Sequence, residues 1–552
     1  MTQATHSGTT AAGQNTLKRS VGFYGLTFVS LGSIIGSGWL LGAYKAAVVA
    51  GPASILSWIL AAAMLAVLAL IHAELGAAYP VAGGTARFPA FAFGRLAGFV
   101  AGWSAWLQAV TLAPIEVEAS LTYLDNINWV NTHLHLLNQA NSTLTASGFL
   151  WASLLMIIFT VINIVGVKLL SESNSVTVIW KTAVPLLTIV VLLSLNFKGG
   201  NFSAGGGFAP YGAHGVFAAL PAGVVFALQG FEQAIQLGGE ARDPQKDISR
   251  AIIVAMIVGT VIYIGLELAF VGSLDPAALV HGWSAPIDKG AFGPYATLAT
   301  AAGAGWLAYI LYADAFVSPA GTGLLYLGTS ARLSYAQGHA GDLPKQLAKV
   351  TVRGVPLWSI ILAFVIGELS FLPFPSWQSL VGLVTSATAI MYGFAPVSLT
   401  ALRRRDGDRA RPYLLKGAAI LSPVGFCSAN LIIYWGGFET TWKIEVGLVI
   451  GLVLFALNRV FTKTRTVITS GDWKGFLWVP VWLIGTVIIG YLGRYGDSAK
   501  NILPDWIDLV VVIAFSLVIF YWAVSLAVTK EEINELVNAD ERDLAQAPGL
   551  AV

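Results

Sequence analysis

Two short stretches carry residue types that could do chemistry inside an otherwise apolar chain. Ser33-Ile34-Ile35-Gly36-Ser37-Gly38 lies within an apolar run from Val21 to Ala50, and Phe226-Ala227-Leu228-Gln229-Gly230-Phe231-Glu232 lies within a later run, shortly after Pro221. Small residues in mid-run invite a helix to break. In hydrocarbon an unpaired backbone N–H or C=O is so costly that a break survives only where it is buried in protein or lines a cavity. Amides freed at the start of the outer half-helix can hold an anion, helped by the positive end of the helix dipole, and freed carbonyls can hold a cation. The alternative is a packing glycine that lets two helices approach closely, which two breaks at matched positions make harder to sustain.

Ionisable groups occur in the same kind of run. Lys181 stands between Val176 and Pro185, too deep to reach the interface easily. A charged lysine at such depth costs roughly 2.5 to 3.5 kcal/mol on insertion scales, so it faces the interior, where it either exchanges a proton or stays paired with a buried carboxylate. Asp314, one turn before Ser318, is its natural partner in both cases. Glu116 and Glu118, two residues apart on one helix, point roughly 200° from each other, so at most one faces a cavity. Glu116 is favoured, because Thr111 and Pro114 make a polar, distorted turn on its side. Glu232 follows the second break directly and either carries a proton or holds the unwound segment together. His72 and Glu74 read as structural, Glu267 has no assigned role, and the pair His133 and His135 has no further ligand to complete a metal site.

These residues need a membrane to be placed in. Hydrophobic residues make up 56% of the 552, charged residues only 11%, and the mean hydropathy is +0.72; soluble domains carry about 25% charged residues. The chain therefore reads as an all-α polytopic membrane protein. Its single cysteine, Cys427, excludes an internal disulfide and reads as a small core residue. The dispersed basic residues exclude a nucleic-acid stripe. No Gly-x-x-x-x-Gly-Lys-Ser/Thr loop and no His-Glu-x-x-His pattern is present, so no enzyme, cofactor or metal is expected. The first nineteen residues are polar and show no cleavable signal segment.

Apolar runs of membrane-crossing length fall near 21–46, 52–79, 96–124, 148–167, 174–195, 215–240, 251–273, 297–328, 355–372, 377–400, 414–437, 444–461, 475–492 and 507–528, which predicts fourteen helices. Counted on these spans, Lys and Arg favour one side about fourfold, which places both termini in the cytoplasm. The loop from Asp125 to Ser147, without Lys or Arg, is then external, and the acidic stretch from Glu531 to Asp543 is a solvated cytoplasmic end. The broken runs are the first and the sixth. Breaks at equivalent places in two five-helix halves point to inverted repeats around a midplane site, since an odd number of spans flips the second copy.

Gly36-Ser37-Gly38, Gly230-Phe231-Glu232 and Gly239-Glu240-Ala241-Arg242-Asp243-Pro244 resemble the amino acid permeases of the amino acid, polyamine and organocation (APC) superfamily. Ala73-Glu74-Leu75-Gly76, Tyr79-Pro80, Gly83-Gly84, the stretch from Gly98 to Trp103, Ser330-Ala331-Arg332-Leu333 and Gly341-Asp342-Leu343-Pro344 are similar too, over roughly residues 18–400. Gly36-Ser37-Gly38-Trp39-Leu40, Ile115-Glu116-Val117-Glu118 and Asp314 to Gly323 look most like the bacterial aspartate–proton symporter branch. The resemblance implies a LeuT-type 5+5 inverted-repeat core over 20–400, four additional helices over 401–529, and cytoplasmic tails at 1–19 and 530–552.

It further implies a secondary active transporter in the cell membrane, a proton-coupled amino acid symporter with acidic substrates such as aspartate among the candidates. An exchanger of the same fold and a non-transporting receptor are the alternatives. An α-amino acid needs N–H donors for its carboxylate and carbonyls for its ammonium. Amides around Gly36, Ser37 and Gly38 suit the first, and carbonyls of Ser33, Ile34 and of Phe226, Ala227 and Gln229, beside Gly230, suit the second. By resemblance Phe226 covers the substrate, and Lys181 takes the place of the sodium ion of sodium-coupled relatives, between the first break and helix eight. Lys181, Asp314, Ser318, Glu116 and Glu232 form the expected proton-coupling set. Lys45, about 10 Å above the break at 1.5 Å per residue, either attracts an acidic side chain or is an interfacial lysine.

Overall fold

The computed structural model describes residues 21–546 except 82, 166, 288–292, 352–353 and 463–467; over 167–174 and 540–546 it describes the backbone alone. The expected tail 1–19 and residues 547–552 lie outside the described residues, as do Lys289, Arg353, Lys463 and Arg465 of the charge count.

The first apolar run folds as two half-helices, α1 (Phe23–Ile34) and α2 (Gly38–Ala50). Next come α3 (Ser54–Ala78), α4 (Gly84–Phe93), α5 (Arg95–Leu124), α6 (Asn128–Leu134), α7 (Ala146–Val165) and α8 (Val167–Asn196). The sixth run is in pieces: α9 (Gly212–Ala219), a π-turn over Leu220–Val224, α10 (Val225–Leu228) and α11 (Gln233–Gln236). The chain continues through α12 (Pro244–Ser273), α13 (Pro294–Ala301), α14 (Gly305–His339), α15 (Leu357–Ser370) and α16 (Trp377–Arg405). It ends with α17 (Ala418–Trp435), α18 (Phe438–Thr462), α19 (Ser470–Phe476), α20 (Trp478–Leu492), α21 (Ile507–Ser525) and α22 (Lys530–Gln546). Among the described residues there is no strand, only isolated bridges at Val21–Ala241 and Leu137–Leu144.

Eleven helical segments of the described residues are long and apolar enough to cross a membrane, with Gly38–Ala78 counted as one. Three shorter apolar helices, Phe23–Ile34, Gly212–Leu228 and Leu357–Ser370, stand at the first, sixth and ninth expected runs. The first and sixth are short because they are broken. The eighth run is divided as well: Gly303, at φ +78°, ends α13, and α14 continues well past the expected boundary at 328.

Burial separates the centre from the rim. The most apolar windows of α5 and α16 are 94% buried, whereas those of α7 and α18 are 28% buried. A helix that is apolar all round and buried belongs to the middle of the bundle, while exposed Leu150, Ile157 and Val161 on α7 and Val449 and Val453 on α18 suit a lipid surface. α5 packs most extensively against α14 and α16, and α1 against α12. Charges at the helix ends are paired. Glu74 at the end of α3 pairs with Arg403 and, at 3.3 Å, with Arg411, and it accepts the Leu415 amide at 2.7 Å. Asp406 accepts from Tyr79 at 2.8 Å and Arg409 at 2.6 Å.

The acidic C-terminal stretch is a helix and not a bare solvated end. α22 rests on α4, burying Ile533 and Val537, while the Val528 amide donates to the Ala92 carbonyl at 3.0 Å. Two apolar residues one turn apart among acidic ones make a narrow stripe, enough to dock a helix on another.

Candidate functional site

The first break spans three residues. Ile35 leaves the helical region at φ −92° and ψ 82°, Gly36 donates back to the Ile34 carbonyl at 3.2 Å, and α2 resumes at Gly38. No side chain of its own caps α2. Instead the Ser37 amide donates to Glu116 Oε2 at 2.8 Å, so the amide expected to hold an anion holds a carboxylate of α5. The Ile34 carbonyl, at the other end of the break, accepts from Tyr263 at 2.8 Å.

The second break lies at Gln229–Glu232, with an additional kink at Gly223, whose φ is 148°. Gln229 is extended, and Gly230 at φ +119° presses on the first break: a Cβ there would stand 3.0 Å from the Ile34 amide nitrogen. Only glycine suits both that conformation and that contact. Ser30 ties the breaks together, donating to the Phe231 carbonyl at 3.0 Å and accepting from the Ala234 amide at 3.2 Å.

Between the breaks lies a small cavity of about 10 Å³, about the space one water needs. Ser33, Ile34, Gly36 and Gly38 line it from the first break, Phe226 and Gln229 from the second, Leu112 and Glu116 from α5, and Tyr326 from α14. Six of the nine expected recognition residues thus line one cavity. The other three support it: Ser37 through its amide, Ala227 by packing behind Gly38, and Gly230 by the close approach just described. Phe226 meets Trp377 edge to face with centroids 5.8 Å apart, and Trp377 Nε1 donates to Ser37 Oγ at 3.1 Å. Lys45 lies over the Tyr44 ring, outside the lining.

The ionisable set divides into three environments. Lys181 Nζ donates to the Gly32 carbonyl and to Thr322 Oγ1, both at 2.6 Å, so the ammonium bridges the last turn of α1 to α14. It does not contact Asp314. That carboxylate accepts from Trp180 and Ser318 at 2.7 Å and from Trp39 at 3.1 Å. Neutral donors therefore hold Asp314, and Lys181 is anchored to a carbonyl and a hydroxyl. Glu116 stands nearer the break: a Cβ on Gly36 would meet Glu116 Oε1 at 2.7 Å and Thr322 Oγ1 at 3.0 Å, which puts Glu116, Thr322 and Lys181 in one cluster around Gly36.

Glu232 is a knot. It accepts from Tyr392 at 2.5 Å, the Gly230 amide at 3.0 Å, Tyr326 at 3.1 Å and Gln108 at 3.3 Å, joining the second break to α16, α14 and α5. Ser33 donates to the Tyr326 hydroxyl at 2.6 Å, which extends the chain to the first break. Glu118 faces away from the cavity, and neither of its oxygens has a hydrogen-bond partner. Glu267 accepts from Ser54 at 2.5 Å and Trp58 at 2.8 Å.

Thr322, Tyr326 and Tyr263 were not among the expected residues. The first two had a signal: Asp314, Ser318, Thr322 and Tyr326 recur every four residues, a polar stripe on one face of a helix in an apolar chain. Tyr263 had none, since its hydroxyl matters only through a carbonyl on a distant helix.

The sequence profile of the amino acid permease family matches residues 21–455. The chain is similar to the glutamate/serine transporter AimA of Bacillus subtilis (strain 168), 35% identical over 94% of this chain and 96% of that protein. It is similar to the aspartate-proton symporter of the same strain, 33% identical over 94% of this chain and 99% of that one. The branched-chain amino acid permease BcaP of that strain is 27% identical over 81% of this chain. These relatives are transporters, and with a bundle of apolar helices whose two breaks meet at a buried cavity, the chain belongs to the amino acid permease family, a multi-pass membrane protein of amino acid transport.

Proposed function

We propose that the protein is a proton-coupled amino acid symporter of the cell membrane, with both termini cytoplasmic and a 5+5 inverted-repeat core over 20–400 followed by four further helices. The observation that carries this is the cluster at the first break, where a buried ammonium, Lys181, bonds the Gly32 carbonyl and Thr322, and a buried carboxylate, Glu116, stands with Thr322 against Gly36. The names of two relatives, an aspartate-proton symporter and a glutamate/serine transporter, support acidic or small polar amino acids as substrates and protons as the coupling ion.

The geometry suggests how a proton is linked to the substrate. Glu116 occupies the Ser37 amide, the donor at the start of α2 that a substrate carboxylate would use. Two anions compete there. Protonation of Glu116 weakens its hold on that amide, so a proton and an amino acid carboxylate bind together more readily than either alone, a coupling that is reciprocal by thermodynamic necessity. Lys181 holds the Gly32 carbonyl and so fixes the end of α1 while this exchange takes place.

Uptake of radiolabelled serine, glutamate or aspartate into proteoliposomes tests the reading. Accumulation should collapse with a protonophore and be unchanged when choline replaces sodium; strict sodium dependence would overturn it. Counterflow without net accumulation would identify an exchanger, and binding without uptake a receptor.

A further inference from the structure

One side chain in the cavity has nothing to do. Gln229 is 3% exposed and lines the space between the breaks, yet neither its Nε2 nor its Oε1 has a hydrogen-bond partner. Buried amides are almost always paired. The other polar side chains of the lining are engaged: Ser33 with Tyr326, Tyr326 with Glu232, and Glu116 with the Ser37 amide. The rest of the wall is Ile34, Leu112, Phe226 and two glycines. A buried carboxamide left bare is unfavourable unless a ligand completes it.

We propose that the Gln229 carboxamide reads the side chain of the transported amino acid, and that the substrates are amino acids whose short side chain ends in an oxygen. This rests on the amino acid transport reading above and names its substrate class. The carboxamide offers two N–H donors and one carbonyl acceptor. A carboxylate or carboxamide oxygen accepts from Nε2; a hydroxyl can accept from Nε2 and donate to Oε1. A hydrocarbon side chain of the same shape leaves both atoms unpaired and is rejected, because a site built for a hydrogen bond discriminates strongly against the ligand that lacks it. Among the described residues no cation lines the cavity, and the Lys181 ammonium is engaged by Gly32 and Thr322, so neutral and acidic oxygens need separate arms in the test.

Affinities of matched pairs, serine against alanine, threonine against valine, and asparagine and aspartate each against leucine, are measured by inhibition of uptake in proteoliposomes. The wild-type protein should favour the oxygen-bearing member by about 10-fold or more, the scale of one unpaired buried polar group. In Gln229→Leu that ratio should fall close to one. Gln229→Glu, which keeps the shape and one acceptor but adds a negative charge, should lose aspartate far more than serine; it also serves if Gln229→Leu fails to fold. A wild-type protein that treats the pairs alike, or a Gln229→Leu protein that keeps the ratio, overturns the proposal. If the wild-type protein binds no amino acid at all, the transport reading itself fails, and the role of Gln229 falls with it.

Discussion

Glu116 and Asp314 are both buried near Lys181, but they are satisfied to different degrees. Asp314 receives three neutral donors and Glu116 a single backbone amide. A carboxylate with three donors is stable as an anion without a cation, whereas one with a single donor depends on its neighbours for charge balance. Lys181 and Glu116 should therefore be coupled, and Lys181 and Asp314 nearly independent. In a double-mutant cycle on melting temperature in detergent, Lys181→Met with Glu116→Gln should depart from additivity by ~0.5–3 kcal/mol, and Lys181→Met with Asp314→Asn by less than about 0.5 kcal/mol. The reverse pattern would restore Asp314 as the partner. Lys181→Ala should stop proton-driven accumulation more than it weakens substrate binding, and loss of both in equal measure would argue for a purely structural lysine.

Breaks are properties of elements, and the glycines that make them differ in what surrounds them. A Cβ on Gly38 would meet Ala227 Cα at 2.9 Å, a backbone atom of α10 that cannot yield. At Gly36 the near atoms are ends of side chains, Glu116 Oε1 and Thr322 Oγ1, which can turn aside. Gly38→Val should therefore destabilise the fold by the ~1–3 kcal/mol typical of overpacking, read as a lower melting temperature. Gly36→Ala should keep the melting temperature within a few degrees and reduce uptake about 10-fold or more, because it displaces the cluster that we assign to coupling. Equal thermal loss in both variants would mean that Gly36 is a packing residue. The motif after the second break gains a physical reason here as well: the Val21 amide donates to Glu240 and the Arg242 amide to Val21, pinning the start of α1 to the segment that leads into α12.

For the whole molecule, the asymmetry of Lys and Arg makes a prediction about sidedness. Asn141 in the loop between α6 and α7 and Lys416 between α16 and α17 are both exposed. With the single cysteine removed by Cys427→Ser, a membrane-impermeant maleimide should label Asn141→Cys on intact cells and Lys416→Cys only after permeabilisation. Labelling with the opposite preference would invert the topology.

Composition and run length sufficed to make this an all-helical membrane protein, because apolar stretches of bilayer length have few other fates. The two breaks were legible for the same reason: glycine and serine in the middle of such a run, with a carboxylate following the second, are conspicuous against their background. What the sequence could not decide was which polar atoms meet. Glu116 closing the Ser37 amide, Lys181 bridging Gly32 and Thr322 in place of Asp314, and Tyr263 holding the Ile34 carbonyl each join residues more than seventy positions apart. Such partnerships depend on the rotation and depth of one helix against another, which packing of the whole bundle sets and no local pattern encodes. Gln229 shows the same division: its place in a break could be read from its neighbours, but that its carboxamide is left without a partner appears only once every other polar group around the cavity has found one.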